Sequence, residues 1–432
     1  MKNIDPEIGF TSDVIKDPNR FIGRTDLVSR CINALNTPLN LIAIHGKRGV
    51  GKSSLARQIQ QIAIGDMTLP KKAGIQHLLS TRQRKYLTVY YTCDSMIKDI
   101  QDLLSRLLND QNPEDGLLRL VPDDGKELVE FERVDEVETG TDLKLIKWGV
   151  KGVESTKYAK VVDNDIVQTF RNFVSAIVTH QVQQKMKRDG LLIILDEFDV
   201  IQNKENIGSL IKSLSSDTVK FAICGIGNDL TDLVSDHNSV ERLLEEGAIL
   251  VGKMIEHESI EIVKKAEELF KEEIKFEDNV TLTIAHLSQG YPYLVQLFGK
   301  ECVNKANQRG TNCIDMELFN SVLSDIKTGK SFPTLESQYQ RAIGDSKDRQ
   351  TLLFLLASQP EGDSLFTQEM GKIKLKDVRK DAAEWSIDYV DQLLPRLLDK
   401  KFGPALIKSD ERQGVYEFVN PIFRVYAQLR NT

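Results

Sequence analysis

Two short stretches of this 432-residue chain carry the residue types and spacing for chemistry on phosphate groups. The first is GKRGVGKS (46–53), a G-x-x-x-x-G-K-S pattern. It follows an apolar run, LNLIAIH, and precedes KSSLARQIQQIAI, whose apolar residues recur at helical spacing. Glycine at 46, 49 and 51 lets backbone N–H groups close on phosphate oxygens. A helix beginning near Lys52 turns its positive end toward the same oxygens. Lys52 would neutralise charge on the β- and γ-phosphates, and Ser53 would hold Mg2+. Lys47, Arg48, Val50 and Ser54 complete the nucleotide-binding stretch. The plain alternative is an ordinary glycine turn. The second stretch is LLIILDEFD (191–199), where an almost wholly apolar strand ends in carboxylates. Open α/β sheets bind ligands at such strand ends. Asp196 would bind Mg2+ through water, and Glu197 would polarise the attacking water. Asp199 reads as a helix cap or a surface charge.

These residues need a frame that holds them together. Apolar or β-rich runs at 39–45, 86–92, 191–196, 219–227 and 248–252 read as strands, with helical stretches between several of them. Runs that are apolar throughout belong to a parallel sheet covered on both faces. Residues 110–162 change character, with acidic clusters and alternating runs such as LKLIKWGV, and read as an inserted loop or hairpin. From 256 to about 330 the pattern is helical throughout, and SFPTLES (331–337) reads as a linker. The last hundred residues read as a helix at 347–358, a short helix near 366–374 and a longer one near 387–401. A hairpin around DERQG and a final helix, PIFRVYAQLR, follow. That order is the order of a winged helix, although Pro395 sits awkwardly inside the third helix.

RFIGRTDLV (20–28), the GKRGVGKS loop and the LLIILDE strand together resemble an AAA+ ATPase, of the origin-recognition-complex-like and STAND-related prokaryotic branch. The resemblance runs from about residue 20 to 305. It implies an α/β fold: a five-stranded parallel P-loop sheet with the phosphate-loop strand near its centre, a helical lid and a C-terminal winged-helix domain. The domains expected are an N-terminal extension (1–19), an AAA+ nucleotide-binding domain (20–255), a helical lid (256–330) and a winged helix (338–432). ATP and Mg2+ are the cofactors implied.

The same resemblance assigns further positions. Asn228, after the strand ending GIGND, falls where such proteins carry a polar sensor of the γ-phosphate; capping of the next helix is the competing reading. LSQGYPYLV (287–295) resembles the lid turn that packs on adenine, with Pro292 on one face of the base and Ile22 on the other. Many AAA+ lids place an arginine just after this turn. Here Tyr293, Leu294 and Val295 follow it, a departure toward the STAND side. Arg242, in His237-x-Ser239-x-x-Arg242, occupies the place of an arginine finger that reaches a neighbouring subunit's nucleotide. Its alternative is a surface charge paired with Glu241 or Glu245.

Composition narrows the class. Hydrophobic content of 41% and charged content of 28% are those of a globular protein, and a net charge of −7 excludes an overall nucleic-acid-coating surface. No secretory leader or membrane-spanning run is present, so a cytoplasmic protein is expected. Five scattered cysteines without a C-x-x-C pattern read as reduced thiols. The primary expectation is an oligomerising Mg-ATP-hydrolysing ATPase, a motor or switch acting on DNA through a winged helix. The alternative is a STAND-like signalling ATPase that gates a partner or effector protein, as in bacterial antiviral defence, without binding DNA. Residues 335–432 carry 15 basic and 15 acidic side chains, a balance that does not mark a DNA reader; KIKLKDVRK (372–380) is their best phosphate-contact candidate.

Overall fold

The computed structural model describes residues 3–78, 83–109, 116–117, 133–135, 144–148, 157–160, 166–227, 233–234, 237–361, 371–409 and 412–431. They form two compact units. One is Lys16–Gly46 with Lys52–Leu250; the other is Met1–Ile15, Lys47–Gly51 and Val251–Thr432.

The first unit runs α1 (Thr25–Asn36), β1 (Leu41–Gly46), α2 (Lys52–Ile64), α3 (Thr68–Lys72), β2 (Tyr86–Thr92) and α4 (Ile100–Asn109). Three short strands follow, β3 (Arg133–Asp135), β4 (Lys144–Trp148) and β5 (Lys157–Lys160). Then come α5 (Ile166–Ala176), β6 (Gly190–Asp196), α6 (Ile207–Leu214), β7 (Val219–Ile226), α7 (His237–Leu244) and β8 (Ala248–Leu250).

Five strands make one parallel sheet in the order β2-β6-β7-β1-β8. This is the five-stranded parallel sheet expected from the sequence. Every residue of β1 and β6 is buried, and β7 is buried up to its last residue. Their largely apolar sequences suit helices on both faces, each fully buried large apolar side chain contributing about 1.5–3 kcal/mol. The phosphate-loop strand β1 stands next to the edge rather than near the centre: only β8 flanks it on one side, while β7, β6 and β2 lie on the other. Parallel pairing brings the carboxyl ends of β1, β7 and β6 to the same border of the sheet. Within the insert, read as a loop or hairpin, the described residues form three strands. Strands β3, β4 and β5 pair antiparallel in that order, because Lys144–Trp148 is bonded on both of its edges.

The second unit begins with α8 (Glu256–Leu269), β9 (Lys275–Phe276), α9 (Asp278–Leu287), α10 (Pro292–Arg309), β10 (Cys313–Ile314) and α11 (Met316–Lys327). It continues with α12 (Pro333–Ile343), α13 (Lys347–Ser358), β11 (Lys372–Lys374), α14 (Leu375–Glu384), α15 (Val390–Leu398), β12 (Leu406–Lys408), β13 (Val415–Phe418) and α16 (Pro421–Leu429). Side-chain caps start several of these helices: Asp315 accepts from the Leu318 amide, Ser346 from Arg349 and Asn420 from Ile422. The N-terminal segment belongs to this core. Phe10 is fully buried, stands edge-on to Phe276 with centroids 5.7 Å apart, and fills the space a side chain at Gly299 would need.

One expectation in this region fails and another is corrected at its end. SFPTLES is no linker, because Pro333 opens α12 at its first turn, where proline's missing N–H costs nothing. Phe332 beside it is buried between Phe298 and Tyr426, at centroid distances of 6.0 and 6.2 Å. Of the short helix expected near 366–374, residues 366–370 lie outside those described, and its last residues, Lys372–Lys374, are instead the strand β11, paired with β13. The helix after it is α14, which the sequence pattern did not separate from its surroundings. Strands β11, β13 and β12 form an antiparallel sheet in that order, and Pro395 is retained inside α15. Among the described residues no helix is long and apolar enough to cross a membrane.

Candidate nucleotide site

The turn from β1 to α2 carries the three glycines of the phosphate-loop pattern, and all three take positive φ: 146° at Gly46, 81° at Gly49 and 96° at Gly51. Side chains of L-residues disfavour that backbone, so glycine here is a conformational need. Lys52 is the first residue of α2 and is 8% exposed. Ser53 follows, and its hydroxyl lies 3.1 Å from Asp196 Oδ1 at the end of β6. Asp196 is buried, and its carboxylate also accepts from the Glu197 amide at 2.9 Å and from the Tyr90 hydroxyl at 2.6 Å. Burial and the neighbouring carboxylate drive the Tyr90 phenol far above its ordinary pKa, so the tyrosine remains a donor. The Arg57 guanidinium lies 3.5 Å from the centre of the Tyr90 ring and backs this arrangement. Neither Tyr90 nor Arg57 is marked by any motif. A tyrosine one strand from the carboxylate, in the β2–β6 pairing, is the signal that could have identified the first.

Glu197 is exposed and left-handed, with φ 53°. A non-glycine residue in that region carries strain of order 1–3 kcal/mol, which here turns the chain sharply at the end of β6. Asp199 is neither a helix cap nor a surface charge. It is half-buried, and its Oδ1 accepts the Ile226 amide at 2.7 Å, fastening the last residue of β7. Two cysteines stand beside Asp196. Burial, with Asp196 adding to it, raises the Cys93 thiol to about 12 and Cys224 well above its usual value. Neither is a nucleophile at neutral pH.

A hydroxyl and a carboxylate 3.1 Å apart are hard oxygen donors of the kind Mg2+ takes, beside a glycine turn and a helix start of the kind phosphates take. The residues present therefore fit a magnesium–nucleotide pair. Gly46, Lys52, Ser53 and Ser54 belong to the sheet-bearing unit, whereas Lys47, Arg48, Gly49, Val50 and Gly51 group with the other. In that second group Lys47 forms an ion pair with Glu417 of β13 at 2.7 Å, each side chain only 14% exposed. A β-carbon at Gly49 would lie 2.7 Å from Ile422 Cδ1 of α16, and one at Gly51 would lie 3.8 Å from Pro292 Cγ. Arg48 is exposed and Val50 is buried. The approach of Glu417 and Ile422 to the loop is invisible in the sequence, since some 370 residues of chain intervene.

The remaining assignments divide. Ile22 is half-buried in the sheet-bearing unit; Pro292 is the first residue of α10 in the other. Asn228 lies outside the described residues. Arg242 stands exposed in the last turn of α7 and forms no ion pair among the described residues, so the local pairing with Glu241 or Glu245 is absent.

Solved structures similar to this chain include the RuvB Holliday junction branch migration motor of Thermotoga maritima. It is 14% identical, with 94% of this chain and 96% of that one covered and a TM-score of 0.43. A Walker-type ATPase of Pyrococcus abyssi is 13% identical, with coverages of 96% and 99% and a TM-score of 0.48. Cdc6p of Pyrobaculum aerophilum is 13% identical, with coverages of 99% and 98% and a TM-score of 0.44. No curated protein sequence matches significantly. The family model described as Novel STAND NTPase 1 matches residues 9–291, well over half of the chain, and the phosphate loop, Asp196 and the whole parallel sheet lie inside that span. The chain belongs to the Novel STAND NTPase 1 family.

Proposed function

We propose that this protein binds and hydrolyses Mg-ATP and works as a nucleotide-dependent switch that assembles with copies of itself and acts on DNA through a C-terminal winged helix. The observation that carries the ATPase reading is the Ser53–Asp196 oxygen pair beside a glycine turn and the buried Lys52. Ser53 and Asp196 would hold Mg2+, which supplies charge neutralisation across the phosphate oxygens. Lys52 and the loop amides bind the phosphates, Glu197 orients and deprotonates the attacking water, and Asn228 senses the γ-phosphate. Ile22 and Pro292 flank the base. In this reading the winged helix expected over 338–432 lies within the second unit and begins with α12 at Pro333 rather than at 338. From α13 on, its element order of helix, strand, two helices and hairpin supports that reading. A cytoplasmic location accords with it.

Arg242 acts as the finger in this reading, supported by its exposure and its lack of an ion-pair partner among the described residues. Arg242→Ala should lower turnover by up to about 10³ at concentrations where subunits assemble, and leave dilute protein unaffected. Phosphate release measured across a protein dilution series tests it. A variant matching wild type at every concentration makes Arg242 a surface charge.

A specific contact favours a switch over a continuously turning motor, and with it the alternative of a signalling ATPase that gates an effector without touching DNA. Glu417 engages Lys47 inside the phosphate loop, and Ile422 rests against Gly49. Nucleotide release would then require this contact to loosen. Glu417→Gln should speed loss of a fluorescent ADP by about threefold to tenfold, the scale of a partly exposed ion pair. Stopped-flow release reads it directly, and an unchanged rate would remove the contact from the gating step.

A further inference from the structure

The C-terminal region balances its charges in sequence, yet its surface does not spread them evenly. A cavity of about 640 Å³ opens where β11 and the start of α14 meet the β12–β13 hairpin. Its lining includes Lys374, Lys376, Arg379, Lys408 and Arg412, against the single acid Asp391 among the described residues. Asp391 accepts from Arg379, whose Nη2 lies 2.7 and 2.8 Å from its two carboxylate oxygens, so this acid is paired at the rim. Lys374, Lys376 and Lys408 are exposed and have no acidic partner among the described residues. The floor is closed by backbone, with the Leu375 amide donating to the Gly414 carbonyl at 2.9 Å. Leu375 opens α14, a ten-residue helix whose positive end adds to the same field.

The third helix of this unit presents the opposite character. The outward positions of α15 are Asp391, Gln392 and Pro395, with Asp388 just before it and Asp399 just after. Its one arginine, Arg396, is turned away. The guanidinium stacks 3.8 Å from the Phe402 ring centre and donates to the Arg341 carbonyl at 3.2 and 3.0 Å. A helix with acids and a proline outward does not suit insertion between two rows of phosphates.

We propose that the groove between α14 and the β12–β13 hairpin binds the phosphate backbone of duplex DNA without reading base sequence, and that α15 is not the reading element. The inference rests on the choice of DNA as target in the function proposed above. Lysines, arginines, a helix start and the neutral donors Ser409 and Gln413 in one cavity are the inventory that contacts phosphate and sugar. Cations drawn from β11, α14, β12 and the hairpin turn suit an extended polyanion rather than a single small anion. An acidic peptide would need apolar anchor sites, and the aliphatic lining residues Leu375 and Val415 are both buried.

The test is fluorescence anisotropy of the full chain with labelled duplexes of two unrelated sequences, titrated over a range of salt. Wild type should bind both equally, and Lys374→Gln/Lys376→Gln/Lys408→Gln should bind at least about tenfold more weakly at low salt, with a log–log salt slope shallower by about 3. Gln392→Ala on α15 should bind as wild type. Circular dichroism and ATP binding, both expected unchanged in the triple variant, show that it is folded. Absence of wild-type binding at low salt would overturn this inference and DNA as the target alike. Wild-type binding that the triple variant retains would overturn the groove alone. Loss through Gln392→Ala, or a strong preference between duplexes, would move the contact to α15. Displacement of duplex by inorganic tripolyphosphate at equal phosphate concentration would make the groove a small-anion site and overturn the duplex assignment.

Discussion

Lys52→Ala is expected to abolish nucleotide binding, weakening it by about 10³ or more, which corresponds to at least about 4 kcal/mol. The size follows from burial. Lys52 is 8% exposed at the start of α2, so a triphosphate beside it sits away from bulk water, where a charge left without its counter-ion is costly. The helix start and loop amides would remain, but they carry partial charges only. Titration calorimetry with ATP reads the loss, and the thermal melting point of the nucleotide-free variant shows whether the fold persists. Tight ATP binding by a folded Lys52→Ala protein would remove the phosphate-loop assignment.

Glu197→Gln is expected to separate binding from chemistry. The amide cannot take a proton from water, so hydrolysis should fall by about 10²–10⁴ while ATP affinity stays within a few-fold of wild type. The backbone supports a specific role here. Glu197 is exposed at φ 53°, and its amide is tied to Asp196 Oδ1 at 2.9 Å, so the carboxylate is directed by a fixed turn next to the buried Asp196. The substitution keeps size and hydrogen-bonding capacity, which separates loss of the base from loss of packing. Single-turnover hydrolysis of prebound ATP gives the rate, and an unchanged rate would hand the base role to another residue.

Much of the frame could be read from the chain. LIAIH and LLIIL announce themselves because a doubly covered parallel sheet favours apolar side chains, and GKRGVGKS because its backbone favours glycine at three points. The helices from α8 to α11 followed from their periodicity. What escaped depends on distant partners. Phe332 looks like part of a polar linker until Phe298 and Tyr426 close around it. Strand β11 is three residues long, too short for alternation to show, and exists because β13 pairs with it. Tyr90 and Asp199 are ordinary residues in sequence that gain their tasks from Asp196 and from the end of β7. Glu417 was legible as one acid in a hairpin, and only folding brings it to Lys47.

The central claim is that the buried lysine, the Ser53–Asp196 pair and Glu197 form a working Mg-ATP hydrolysis site. Phosphate release from ATP by the purified chain, with and without Mg2+ and beside Lys52→Ala and Glu197→Gln, tests it most directly. The account predicts Mg2+-dependent release that is absent in Lys52→Ala and at least about a hundredfold slower in Glu197→Gln. Release that ignores Mg2+ or survives both substitutions would contradict it, as would wild-type protein that binds ATP and never cleaves it.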